Sequence, residues 1–393
     1  MTSSGQSRDF WTPTKVLVLF LGLFLALLVL LEVWFRITAP EIRGLNARYV
    51  EISRDFPDLD ALVADREYRL RYQPEFLYAP GPVSRDLVTF TDYFGARRTP
   101  SSAPLNEAEH IVWTFGGSTM ENTETTDSLT IANTWAAEFN RAVGPTHVKN
   151  FGVGGFFSSY QLIKFQRLLR EVPHEDLPGI AIFYDGYNDA VNGLQYGAGR
   201  LQRNLDRKLE AMVEPRNLAL WLLATSNALE RISVLWARTG AQVIQRSFFP
   251  LGHPDPGPEN LAATVRVYTS NVRMIDATCR AFGVRCVFLL QPMLPTKAEL
   301  ASEEQEALDW LEGHPRFGSE GTHFVREFYR RSAAELADLK GFIDASGILN
   351  DRGGVADFYD VGHVGALSPP IIGERTAALI LQRLGQEDPH GKR

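Results

Sequence analysis

The chain has 393 residues, 45% of them hydrophobic and 22% charged, an ordinary globular balance with enough length for a sizeable core that needs no metal or disulfide staple. Its net charge of −7 gives no general attraction for nucleic acid, and no basic stripe interleaved with aromatics is present. Nucleic-acid binding is therefore excluded as a leading function.

Residues 1–15 read as a short polar tail. From Val16 to Leu31 the chain is unbroken apolar sequence, and it continues through Val33, Trp34, Phe35 and Ile37. Glu32 and Arg36 interrupt it at a spacing of four, which puts them on one helix face. About 20 apolar residues cross a bilayer once at about 1.5 Å per residue. The run is long for a secretory h-region, and Ile37 at the −3 position weakens the small-residue cleavage site at Thr38-Ala39. Residues 16–37 are thus expected to be an uncleaved single-pass anchor. Arg8 and Lys15 before it nearly balance Arg36 and Arg43 after it. A short tail before a large domain favours tail inside, with the domain periplasmic or extracellular.

Residues 38–108 read as a connecting region rich in Pro, Arg and Tyr, with a helix over Ala47–Tyr68 and a short strand over Leu87–Thr91. The pattern changes at residue 109. His110–Phe115 reads as a buried strand running into Gly116-Gly117-Ser118, and Leu129–Ala142 as a helix. Val148–Val153 reads as a strand ending in Gly154-Gly155, followed by a helix over Ser159–Arg170. Ile180–Tyr184 is a third strand, ending in Asp185-Gly186-Tyr187-Asn188-Asp189. A helix from Ala262 to Phe282 precedes a strand over Val284–Gln291. Gly341–Asp344 begins a fifth strand, and Gly373–Leu384 closes the chain as an amphipathic helix. Apolar strands alternating with amphipathic helices imply βαβ units, a parallel sheet and helices on both faces. The expected fold is a three-layer α/β/α domain over 109–393, with helical insertions at about 197–247 and 298–338. The two cysteines, Cys279 and Cys286, match neither a zinc pair nor a redox motif and read as two buried thiols, a disulfide being the alternative in an oxidising compartment.

In an open α/β sheet, chemistry collects beyond the carboxyl ends of the strands. Four clusters there carry suitable groups. Ser118 in Phe115–Met120 follows two glycines that let the backbone turn sharply, and it suits a nucleophile or a plain helix cap. Met120 stands where an α/β-hydrolase elbow has its second glycine, and no lysine follows as in a phosphate loop. Gly155 suits an oxyanion donor or an ordinary turn. Asn188 suits an oxyanion donor or an N-cap, and Asp189 a cap in either case. Asp360 and His363 sit three apart, where the carboxylate can fix the imidazole tautomer for a general base, or where both form a surface pair.

In their order, these blocks (FGGSTM, NFGVGG, GYND and DVGH) resemble those of the SGNH/GDSL hydrolases over about residues 110–385. The resemblance implies a flavodoxin-like sheet, with Ser118 as nucleophile, His363 as base and Asp360 as its orienting partner. It implies an oxyanion hole from the Ser118 and Gly155 amides and the Asn188 side chain. Gly117 stands where the family often has Asp. That form, with Tyr93-Phe94-Gly95-Ala96-Arg97 ahead of the serine strand, is similar to a membrane-tethered bacterial subset. The implied function is acyl transfer without a metal or organic cofactor: an esterase acting on O-acyl, favoured as acetyl, esters of an envelope glycan or lipid. The alternatives are an O-acyltransferase on the same triad and a non-catalytic envelope binding or assembly module.

Overall fold

The computed structural model describes residues 94–199 and 255–387, apart from 123, 315 and 316, together with 15–23, 26, 27, 30, 53, 56, 70–73 and 77–91. Residues 1–44 with 203–251, and 45–202 with 252–393, form two compact units. In the first, residues 15–23 are helical, with exposed apolar side chains such as Phe20 and Leu23. Among the described residues no helix is long and apolar enough to cross a membrane. The rest of the expected anchor over 16–37, nearly all of the helix expected over Ala47–Tyr68, and the insertion expected over 197–247 beyond residue 199 lie outside the described residues.

The second unit is built on five parallel strands: β3 (His110–Gly116), β4 (Thr146–Asn150), β5 (Ile180–Asp185), β6 (Arg285–Leu290) and β7 (Phe342–Asp344). They lie in the order β4-β3-β5-β6-β7, the doubly wound order in which the chain steps one way from its first strand and then crosses back. The three central strands are apolar almost throughout because helices cover both faces, whereas the edge strand β4 alternates buried and half-buried positions. β5 has no exposed position at all. Phe115, Phe183, Phe288 and Phe342 occupy the same register level on four adjacent strands. Phe115 stacks on Phe183 at 4.8 Å and Phe183 on Phe288 at 5.4 Å, a cross-strand ladder at the centre of the core.

The helices follow from the topology. α1 (Ser118–Glu121) is a single turn. α2 (Ile131–Val143) connects β3 to β4, and α3 (Ser158–Glu171) connects β4 to β5. Right-handed crossovers running in opposite directions put these two helices on opposite faces. α8 (Ser368–Glu387) packs with α2. α4 (Tyr187–Tyr196), α5 (Pro258–Ala281) and α7 (Gly318–Leu336) pack together, and α5 also packs on α3. The stretch 298–338, expected as a decorating insertion, holds α6 (Ser302–Gly313) and α7 and forms the crossover from β6 to β7. Phe324, Val325, Phe328 and Leu336 of α7 are buried in the main core.

Three local readings are corrected. Leu87–Thr91 forms no strand; Phe90 alone bridges to Val83 and Arg97. The second core strand ends at Asn150 rather than Val153, where the Asn150 side chain turns back to accept from Gly152 N–H at 3.0 Å. Cys279 and Cys286 are a disulfide joining the end of α5 to β6, with Cα atoms 6.1 Å apart, rather than two thiols. The hairpin of β1 (Leu70–Gln73) and β2 (Leu77–Pro80) was not expected in the connecting region.

Candidate active site

The register places the site. Gly116 at the end of β3 pairs with Tyr184 of β5, and Thr114 pairs with Asn150 of β4. The three following loops therefore leave the sheet at one level, at the point where crossovers depart to opposite faces. Gly116 admits no side chain: an added Cβ would lie 2.5 Å from Met120 Cβ and 2.8 Å from Tyr184 O. At Gly117 it would collide with Asn188 Nδ2 and lie 3.0 Å from Phe156 O. Ser118 then opens α1 as its first residue, with Gly117 as the N-cap, so the serine is not the cap.

Ser118 Oγ lies 2.6 Å from His363 Nε2, and His363 Nδ1 lies 2.8 Å from Asp360 Oδ2. A carboxylate only accepts, so Nδ1 carries the proton and Nε2 accepts from the serine hydroxyl. The other Asp360 oxygen accepts from the backbone N–H groups of Gly362 and His363 at 2.9 and 2.8 Å. Burial opposes the charge on Asp360. The imidazole beside it and these hydrogen bonds outweigh that and hold the carboxyl below its ordinary value. The His363 ring stands edge-on to Tyr187 at 5.2 Å and is stacked on Tyr359 at 5.9 Å. Gly362 lets Tyr187 approach; a Cβ there would meet the ring at 2.6 Å.

Two buried ion networks hold the loops. Arg97, 1% exposed, pairs with Asp127 at 2.9 Å and donates to the carbonyls of Glu121, Asn122 and Thr125. It thereby ties down the segment that follows the serine turn. Burial raises the Asp127 carboxyl in spite of that arginine. Under the histidine loop, Lys297 pairs with Glu304 at 2.8 Å and Asp357 at 3.1 Å, all three side chains almost fully buried. Glu304 also accepts from the N–H groups of Asp357 and Phe358 at 2.9 and 3.1 Å. Sequence reasoning gave Lys297, Glu304 and Asp357 no role. Lys297 and Glu304 are seven residues apart and Asp357 a further 53 away, and no local pattern joins them.

The remaining candidates lie beside the serine. Gly155 has φ +79°, a conformation that glycine adopts without strain. Among the described residues, the N–H groups of Ser118 and Gly155 donate to no protein acceptor. Asn188 is the second residue of α4 rather than its N-cap, which is Gly186. Its amide nitrogen donates to Phe156 O at 2.7 Å and packs on Gly117. Asp189 caps a different helix from its own, accepting from Ser158 N at 3.1 Å and Ser158 Oγ at 2.5 Å at the start of α3. Burial pushes its carboxyl up to about 6. Burial and the neighbouring Asp189 charge also raise Asp185, which Gln161 contacts.

No family model matches the chain, and no curated protein matches it. Solved structures with some likeness include TesA, at 14% identity over 70% of this chain and 99% of that one, with a TM-score of 0.39. The psychrotrophic esterase EstA from Pseudoalteromonas sp. is 10% identical over 70% of this chain and all of that one, TM-score 0.38. A variant of Axe2, an acetyl-xylooligosaccharide esterase from Geobacillus, is 11% identical over 71% and 95%, TM-score 0.37. Likenesses this remote assign neither fold nor activity.

Proposed function

We propose that the chain is a serine esterase of the SGNH/GDSL type, cleaving O-acyl esters, acetyl esters foremost, of a cell-envelope glycan or lipid. The observation that carries this reading is the continuous hydrogen-bonded line from Ser118 Oγ through His363 to Asp360. In the mechanism it supports, His363 Nε2 takes the Ser118 proton as Oγ attacks the ester carbonyl. Negative charge develops on the carbonyl oxygen, and the Ser118 and Gly155 N–H groups and the Asn188 amide donate to it. The intermediate collapses, and His363 gives the proton to the departing alcohol. Water, deprotonated by the same nitrogen, then attacks the acyl-serine, and Ser118 recovers its proton as the acid leaves. Asp360 keeps Nδ1 protonated and stabilises the imidazolium formed at each transfer.

The apolar run from Val16 to Leu31 supports a single-pass anchor, with the catalytic unit on the periplasmic or extracellular side, where O-acylated glycans and lipids are the available esters. The test is labelling of the detergent-solubilised full chain by a fluorophosphonate, which reacts only with an activated serine. Wild type labels, and Ser118→Ala and His363→Ala do not. A folded wild type that fails to label, or a Ser118→Ala variant that labels equally, removes the proposal.

A further inference from the structure

The Gly154–Gly155 peptide is held from the N-terminal hairpin. Tyr78 of β2 donates its hydroxyl proton to Gly154 O at 3.0 Å. Gly154 N–H donates to the Glu121 carboxylate, which is 1% exposed at the end of α1. On the far side of the loop, Phe156 O accepts from Asn188 at 2.7 Å. Of the backbone N–H groups of residues 154–156, that of Gly155 is the one without a protein acceptor among the described residues. That N–H and the Gly154 carbonyl belong to one peptide plane. The described chain has no cis peptide, so the two groups point in opposite directions. Fixing the carbonyl toward Tyr78 therefore fixes the N–H away from it. The loop runs directly beside the serine: a Cβ on Gly154 would stand 4.0 Å from Ser118 Cβ.

Glycines on both sides of that peptide make a lock necessary. Neither residue has a side chain to restrict rotation of the plane, and Gly155 already sits at positive φ. A flipped plane would present the carbonyl oxygen, rather than a donor, to the developing oxyanion. The hairpin is seated by packing as well: Tyr78 meets Phe156 edge-on at 5.3 Å, and Ala79, Val153 and Phe156 form a small buried cluster of their own.

We propose that Tyr78, assisted by Glu121, is a positioning residue that orients the Gly154–Gly155 peptide so that the Gly155 N–H serves the oxyanion hole. The inference rests on the esterase reading. It adds that the hole is completed by a residue from outside the α/β domain proper. The hydroxyl remains a donor across the working range, since burial, reinforced by the Glu121 charge, raises Tyr78 to about 12.

The test uses the detergent-solubilised full chain with p-nitrophenyl acetate as substrate and phenylboronic acid as a probe that places an oxygen in the hole. Tyr78→Phe keeps the ring that packs on Phe156 and loses only the hydroxyl. Losing one hole donor outright lowers kcat about 10²–10³-fold. A donor left in place but no longer locked lowers it less, so Tyr78→Phe reduces kcat roughly 10- to 100-fold with KM nearly unchanged. Boronate affinity falls by a similar factor, while the pH profile of the remaining activity and the Tm stay put. Glu121→Leu removes the acceptor for Gly154 N–H and falls as Tyr78→Phe does. Wild-type kcat and boronate affinity in Tyr78→Phe overturn the inference while leaving the esterase reading intact, as does a loss confined to Tm. A wild type that neither turns over the ester nor labels with fluorophosphonate overturns both.

Discussion

Gly117 shows how much a single missing side chain decides. Read along the chain, it is only the second of two glycines that let the backbone turn ahead of Ser118. In space, its Cα lies where any Cβ would strike Asn188 Nδ2. Its backbone, at φ −84° and ψ −152°, is open to any residue, so the requirement is one of space alone. Gly117→Ala is therefore expected to fold with a lowered Tm, since overpacking costs about 1–3 kcal/mol, and to push the Asn188 amide out of place. The measurement is kcat on p-nitrophenyl acetate, with a loss on the order of a hundredfold, the cost of one displaced hole donor. Wild-type kcat in a folded Gly117→Ala would mean that the Asn188 amide takes no part. Ser118, Asp360 and His363 were legible one by one, as a nucleophile after a glycine turn and a carboxylate three residues from an imidazole. Their alternatives as helix cap and surface pair lost ground only once the capping residue proved to be Gly117 and His363, held by Asp360, met Ser118.

At the scale of elements, the loops of the site are held by charges buried beneath them. The Lys297–Glu304–Asp357 network joins the connection after β6, the first turn of α6 and the strand-like stretch before the histidine loop. Replacing the lysine by a residue of similar length leaves Glu304 buried without its counter-ion, while Asp357 keeps Arg352 at 3.1 Å. Breaking one member of a buried ion pair costs about 3–5 kcal/mol. Lys297→Met is expected to lose stability on that scale by urea denaturation, and to lose activity through disorder of the Asp360–His363 turn. A loss below about 1 kcal/mol, the range of exposed ion pairs, would mean that the network is solvated. None of this is visible as periodicity. The hydrophobic pattern locates helices and strands well, but a lysine, a glutamate and an aspartate spread from 297 to 357 look like surface residues until the chain closes over them. The β1–β2 hairpin was missed for a related reason: strands of four residues are too short to establish a period of two.

Across the whole molecule, the doubly wound sheet sets where the site falls and also traps acids that the chemistry does not use. Burial, opposed by the Ser158 hydrogen bonds, lifts Asp189 from an ordinary 3.8 to about 6, and Asp185 beside it is raised too. Between those two values the folded protein keeps a proton that the unfolded chain has released. The stability tied to that proton is complete below 3.8 and is lost as pH rises through 6. Thermal melts of wild type and Asp189→Asn from pH 4 to pH 8 should show the difference: the wild-type Tm declines across pH 4–6 relative to the variant, which has no proton to lose at that position. Parallel curves would mean that the Asp189 carboxyl is not raised in the folded protein.

By itself the sequence determined the alternation of strands and helices, the parallel sheet and the residues worth testing as catalytic, because apolar period and glycine punctuation are local properties of the chain. Folding alone brings Ser118 and His363, 245 residues apart, to within 2.6 Å of each other. It also packs Asn188 into the space that a side chain at Gly117 would take, joins Cys279 to Cys286 and carries Tyr78 to the glycine loop. Those facts depend on strand order and register, which bring distant loops to one level above the sheet, and no short-range pattern encodes that meeting.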